Sequence, residues 1–129
     1  MNEDDRHAAG MRNRRSVLGD AHVDRAEARK TPFDERFQHF ITRNAWGDIW
    51  ESRTIDRKTR SLLTMAMLLA MGHEEEFAMH VRASVNCGVT EEELSDLLMQ
   101  AAIYCGVPAA NSGYRIAKSV LAERAADSG

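Results

Sequence analysis

Leu62-Leu63-Thr64-Met65-Ala66-Met67-Leu68-Leu69-Ala70-Met71-Gly72-His73-Glu74-Glu75-Glu76-Phe77-Ala78-Met79-His80 decides the fold class. The run before Gly72 is apolar except for one threonine and contains no proline. It is shorter than the roughly 20 residues of a membrane span, and a helix that is apolar all round is one surrounded by protein. A central buried helix ending at Gly72 is therefore predicted. The polar residues beyond it keep helical spacing. At about 100° per residue, His73, Glu76 and His80 fall within about 60° of one another, so two imidazoles and a carboxylate share one face. Such a cluster beside apolar helices suits proton transfer.

Outward from this stretch the whole chain reads as helix. The 129 residues hold only two prolines and are rich in Ala, Leu, Met, Glu and Arg, and no segment alternates polar and apolar residues long enough for a strand. The class is all-α, with about six helices in a single domain spanning residues 1–129. Thr31-Pro32 starts a helix with Phe33, Phe37, Phe40 and Ile41 on one side, ending near Ala45-Trp46-Gly47. Asp56 caps the central helix. The His73–Asn86 helix stops before Gly88, and Thr90-x-x-Glu93 forms a capping box for Leu94, Leu97, Leu98 and Ala101. Gly106 and Pro108 punctuate its end, and a last helix carries Tyr114, Ala117, Val120 and Leu121, fraying over 125–129. Residues 1–30 are charge-rich, anchored by Met11, Val17, Leu18 and Val23. They read as a helix or arm that wraps a neighbouring subunit, with the helical core at 31–124.

Composition narrows the function. A net charge of −3 shows no basic excess of the kind that draws a protein to nucleic acid or anionic lipid, so neither nucleic acid nor membrane is expected as a partner. The acidic start Met1-Asn2-Glu3-Asp4-Asp5 does not read as a signal peptide, and a cytoplasmic protein is expected. Cys87 and Cys105 lack C-x-x-C spacing, so a disulfide framework or zinc knuckle is not expected, and both are read as buried thiols. Met65, Met67, Met71 and Met79 read as core or interface filler.

Six short words, in order and at consistent spacing, carry a family resemblance: Arg15-x-Val17-Leu18-Gly19-Asp20-Ala21-His22-Val23; Trp46-Gly47-Asp48-Ile49-Trp50; Asp56-x-Lys58-Thr59-Arg60-Ser61-Leu62; Glu76-x-x-x-His80-Val81-Arg82; Gly88-Val89-Thr90; and Tyr104-Cys105-Gly106-Val107-Pro108. Together, over residues 12–122, they resemble the carboxymuconolactone decarboxylases of the AhpD-like superfamily. The resemblance implies a compact all-helical fold assembled as a homo-oligomer, a hexamer or possibly a trimer. It also implies a place in protocatechuate breakdown through the β-ketoadipate pathway. The redox members carry C-x-x-C-x-x-x-H on this helix, and alignment on the shared histidine puts His73 and Glu76 where their cysteines stand. Ser61 replaces an acidic residue of that redox site. Without a paired attacking and resolving thiolate, thiol–disulfide exchange has no route here.

The substrate this resemblance implies is a small anionic lactone, a butenolide with a carboxylate on its γ carbon and an acetate arm. Loss of the ring carboxylate as CO2 leaves an electron pair that the ring double bond passes to the lactone carbonyl. The substrate is its own electron sink, and neither cofactor nor metal is required. The protein must stabilise the oxyanion, protonate the ring carbon and hold the carboxylates. His80 is the expected general acid, and Glu76, one turn earlier, orients and favours its imidazolium. The pair also reads as an ordinary helix-surface contact. His73 either lines the pocket mouth or starts the helix. Arg60 and Arg53 are candidates for the substrate carboxylates, since guanidinium forks match them bidentately. Arg53, Arg57 and Arg82 read equally as ion-pair residues. Trp46, Trp50 and Tyr104 could wall the lactone or pack in a core or interface. Two alternatives stand beside the decarboxylase: a metal-binding or other lactone-processing member of the same fold, using Glu76, His80 and His73, and a non-catalytic helical oligomer module.

Overall fold

The computed structural model describes residues 2–128. Among these residues there are seven α-helices and no strand, so the all-α class holds with one helix more than expected: α1 (Glu3–Leu18), α2 (Asp20–Arg29), α3 (Glu35–Ile41), α4 (Arg57–Ala70), α5 (Glu74–Ala83), α6 (Glu91–Tyr104) and α7 (Val107–Ser128). A π-helical stretch, Thr42–Ile49, continues α3, and a 3-10 turn, Ser84–Cys87, continues α5. Two compact units divide the chain, one up to Arg57 and one from Lys58.

In the first unit the charge-rich start is helical over Glu3–Leu18 and Asp20–Arg29. Asn2 caps α1 by accepting from Asp5 N at 2.8 Å, and Glu3, Asp4 and Asp5 place negative charge at the positive end of the helix. Gly19, at φ +91°, separates α1 from α2. α1 lies backbone to backbone on the π-helical stretch: a Cβ on Gly10 would strike the Thr42 carbonyl oxygen, and one on Gly47 the Arg6 carbonyl oxygen. The chain widens into π geometry where side chains compete for the helix ladder. Thr42 Oγ1 donates to the Gln38 carbonyl and Asn44 Nδ2 to the Phe40 carbonyl, both at 2.9 Å, and Trp50 N reaches back five residues to Ala45 O. That is why the helix continues past Ala45-Trp46-Gly47. Thr31 caps a preliminary turn, with its N–H on Asp34 Oδ1 at 2.9 Å, and α3 proper follows. The aromatic side of that segment faces outward, with Phe33 98% exposed and Phe37 and Phe40 more than half exposed.

The second unit is built around Met65, Leu69, Phe77, Val81, Leu94, Leu98, Ile116, Ala117 and Val120, contributed by α4 to α7. α4 is not apolar-buried all round. Ser61, Met65 and Leu69 form its buried stripe, whereas Leu63, Met67 and Met71 are exposed. A residue spacing of four fixes one inward row, and the remaining apolar residues lie on a face that this chain leaves open. Gly88, at φ +82°, turns the chain into α6, whose Thr90 and Glu93 form the expected capping box. Gly106, at φ +100°, lets α7 begin at once with Pro108 in its first turn. α7 is helical to Ser128, through most of the segment read as fraying; Gly129 lies outside the described residues.

Candidate active site

α5 carries three of the residues singled out by sequence. His73 is its exposed N-cap, Glu76 is exposed in the first turn beside Glu74 and Glu75, and His80 is only 7% exposed, flanked by buried Phe77 and Val81. Residues four apart on a helix are neighbours, so Glu76 and His80 share a face, one end at solvent and the other at the core. One turn further, Ser84 is buried and its Oγ donates to the Val81 carbonyl at 2.7 Å. α7 clamps this helix from its own side: Arg82 pairs with Glu123 at 2.6 Å, Arg115 with Glu74 at 3.4 Å, and Arg124 Nη1 donates to the Val81 carbonyl at 3.2 Å. The carbonyl next to His80 is therefore tied to a cation at the negative end of α5.

Arg60 stands in the first turn of α4, half-buried, and its Nε is buried with no hydrogen-bond partner among the described residues. Burying a guanidinium donor without an acceptor costs free energy that a bound carboxylate would recover. Ser61 beside it is buried. Arg57 donates to Ser16 Oγ at 2.9 Å and to Asn13 Oδ1, and Asn13 Nδ2 donates in turn to the Trp46 carbonyl at 2.8 Å, so Arg57 is committed to a polar knot in the first unit.

Other candidates lie elsewhere. Trp46 and Trp50 are buried at 6% and 5% exposure and stack on each other, with ring centroids 5.1 Å apart and planes at 28°. Their faces meet each other, an arrangement of core packing. Arg53 is exposed in the loop after the π-helical stretch. Tyr104 is 83% exposed and lines a groove of about 480 Å3 between α4 and α6, with Leu62, Leu63, Ala66, Leu97 and Ala101 as its floor. The sequence reading missed this groove, although the small residues Ala66 and Ala101 mark where two helix faces leave room. Its ionisable lining is acidic, Glu93 and Asp96. Glu93 is held ionised below the usual carboxylate range by the Thr90 backbone N–H and by Lys58 Nζ at 3.0 Å. Lys58 offsets the charge of Glu93, which leaves Asp96 as the carboxylate of the lining without an ion pair among the described residues. A smaller cavity of about 250 Å3 lies at the α4–α5 turn against Gly72, Glu74, Phe77 and Ser112. Cys87 is buried as expected, but Cys105 is exposed, because it follows α6 at the solvent end of the groove. Among the described residues no three His, Cys, Asp or Glu side chains converge as metal ligands, and no helix is long and apolar enough to cross a membrane.

On α5 a buried histidine thus follows a carboxylate by four residues, with no pair of cysteines on that helix. The chain belongs to the carboxymuconolactone decarboxylase family, whose model matches residues 35–119. It is 43% identical over 121 residues to 4-carboxymuconolactone decarboxylase of Acinetobacter baylyi, covering 94% of this chain and 90% of that one. A Pseudomonas putida sequence of the same name is 54% identical over 48 residues, 37% of this chain and all of that one. Nitrosuccinic acid decarboxylase of Metarhizium robertsii is 40% identical over 99 residues, 77% of this chain and 69% of that one.

Proposed function

We propose that this protein is a cofactor-independent carboxy-lyase that converts γ-carboxymuconolactone into the β-ketoadipate enol-lactone and CO2, a step of protocatechuate catabolism. The observation that carries the reading is identity with the Acinetobacter decarboxylase across almost the whole chain. In the reaction the bond from the ring γ carbon to its carboxylate breaks, and the pair moves through the ring double bond onto the lactone carbonyl oxygen. A proton then reaches the ring carbon next to that carbonyl. His80, buried on α5, supplies the proton, with Glu76 on the same face to orient it and replenish the charge. Arg60 takes the acetate arm or the departing carboxylate through its uncommitted guanidinium. His73, the exposed N-cap of α5, marks the mouth of the proposed site.

The metal-binding alternative is not favoured, since two of the relatives act as named decarboxylases. Nitrosuccinate, the acid in the name of the Metarhizium relative, also bears its carboxylate beside a group that accepts an electron pair, here a nitro group. Decarboxylation into a sink carried by the substrate is therefore the chemistry to test with both acids. Adding γ-carboxymuconolactone to the purified protein should yield CO2 and the enol-lactone in equal amounts; absence of turnover with that lactone would overturn the assignment.

The assembly belongs to the same proposal. Phe33, Met71, Ile103 and Tyr104 are each more than two-thirds exposed, a load of apolar surface that a small monomer does not carry without a partner. A homo-oligomer, hexameric or trimeric, should appear by light scattering at micromolar concentration, and a mass equal to the 14.5 kDa monomer would refute it. The two free thiols suit a reducing compartment, which supports a cytoplasmic setting.

A further inference from the structure

The first unit holds a pair of histidines that the proposed reaction does not use. His7 on α1 and His39 on α3 meet edge to face with ring centroids 5.1 Å apart, both partly buried. Cations surround them. From the end of α2 comes Lys30, which pairs with Glu27 at 2.9 Å; from the π-helical stretch comes Arg43. Glu27 is the one carboxylate among the groups acting on His7, and it is already shared between Lys30 and the buried Arg14, at 2.9 Å from each. On α1 itself, Arg6 is paired with Glu3 at 2.9 Å and also donates to Asn44 Oδ1 at 2.7 Å. Arg43 Nε stands 2.8 Å from Glu3 Oε2 without the alignment of a hydrogen bond, so this contact is an ion pair by proximity alone. Glu3 and Glu27 are thus spoken for, whereas Glu35, one turn before His39 on α3, is exposed to solvent.

We propose that the His7–His39 contact is an acid-sensitive clasp: protonation of His7 separates α1 from α3 and loosens the first eight or so residues of α1 from the π-helical stretch. An imidazolium at His7 is repelled by Lys30 and Arg43, and α1 meets the π-helical stretch through a close backbone approach at Gly10 and Gly47 that any separation would open. The direction of the His7 titration agrees. Burial first, then His39, Lys30 and Arg43, hold it below its ordinary 6.5, against a weaker opposing pull from Glu27. A histidine depressed in the folded state stabilises fold above its unfolded value and loses that contribution as pH falls through the folded one. The window therefore opens below 6.5 and not above it.

The test reads three signals in the full-length protein. Hydrogen exchange, corrected for intrinsic pH dependence, should show amides at residues 5–12 losing protection between pH 7.5 and 5 while α6 amides keep theirs. The change should be reversible. His7→Gln and His39→Gln should each abolish that selective loss. Lys30→Gln removes a cation and releases Glu27, so His7 followed by proton NMR should titrate about half a pH unit higher than in the wild type, an effect that merely weakened packing would not produce. Direct proton NMR titration of His7 covers the case in which a variant fails to fold: it should report a value below 6.5 in the wild type. A His7 that titrates at or above 6.5, or α1 protection that falls equally in wild type and in both glutamine variants, overturns the clasp.

Discussion

Gly113→Ala tests the packing that holds the site-bearing unit together. Gly113 lies buried in α7, and a Cβ there would stand 2.5 Å from Leu98 Cδ2 of α6 and 3.3 Å from both methyls of Leu69 of α4. Carbon atoms rest about 3.5–4.0 Å apart, so the Leu98 methyl must retreat by about 1 Å. Leu98 is 1% exposed and Leu69 6%, so the retreat is into other core atoms. Overpacking of this kind costs about 1–3 kcal/mol, against which the glycine-to-alanine gain in helix propensity returns about 1 kcal/mol. The net expectation is a loss of about 0–2 kcal/mol, read as a urea midpoint lower by on the order of 1 M or less. Gly10→Ala is the informative companion. Its Cβ would meet the Thr42 backbone carbonyl, which has no rotamer to change, so the loss should exceed that at Gly113 despite the same propensity gain. If Gly113→Ala is more stable than wild type, or Gly10→Ala is the milder of the two, the account of close helix approach at these glycines is wrong.

His80→Ala should retain its helical circular dichroism and oligomer size while kcat falls about 10²–10⁴-fold, the contribution of one positioned general acid; near wild-type turnover would remove His80 from the mechanism. Glu76→Gln should also slow the reaction, and the double variant should be about as impaired as His80→Ala alone, since the two act as a unit. Arg60→Ala should cost about 1.5–3 kcal/mol in kcat/KM, the range for a lost hydrogen bond to a charged group, with little change in melting temperature. A large fall in melting temperature with normal turnover would make Arg60 structural. Because Glu93 is held below its ordinary 4.5, the stability it lends is present above 4.5 and lost as pH falls through the folded value. Acid unfolding of the second unit should therefore be less steep below 4.5 in Glu93→Gln, as followed by tyrosine fluorescence.

Much of the second unit was legible because its signals are local. The Thr90–Glu93 capping box, the turn at Gly88 and the restart after Gly106 each depend on residues a few positions apart, and all three appear where the sequence puts them. The α4 stretch misled for a related reason. Leu63 and Met67 are as apolar as Met65 and Leu69, and hydropathy cannot say whether a face is covered by the same chain or by another. The π-helical stretch was illegible because it depends on Thr42 and Asn44 side chains capturing carbonyls one turn back, an outcome that propensity does not encode. For the site, residue spacing put Glu76 and His80 on one face of α5 while His73 proves to be its non-helical N-cap, and the indole stack of Trp46 and Trp50 belongs to tertiary packing that no spacing rule reveals.

That stack has a spectroscopic consequence. Two indoles held close at a fixed angle couple their electronic transitions, so the pair should give a paired positive and negative circular dichroism band of opposite sign, which an isolated tryptophan lacks. The chain has only two tryptophans and two tyrosines, and the tryptophans both lie in the first unit while Tyr104 and Tyr114 lie in the second. Each unit thus carries its own chromophore. Denaturation followed by the indole couplet and by tyrosine emission will trace one curve if the units melt as a single cooperative body and two curves if they do not.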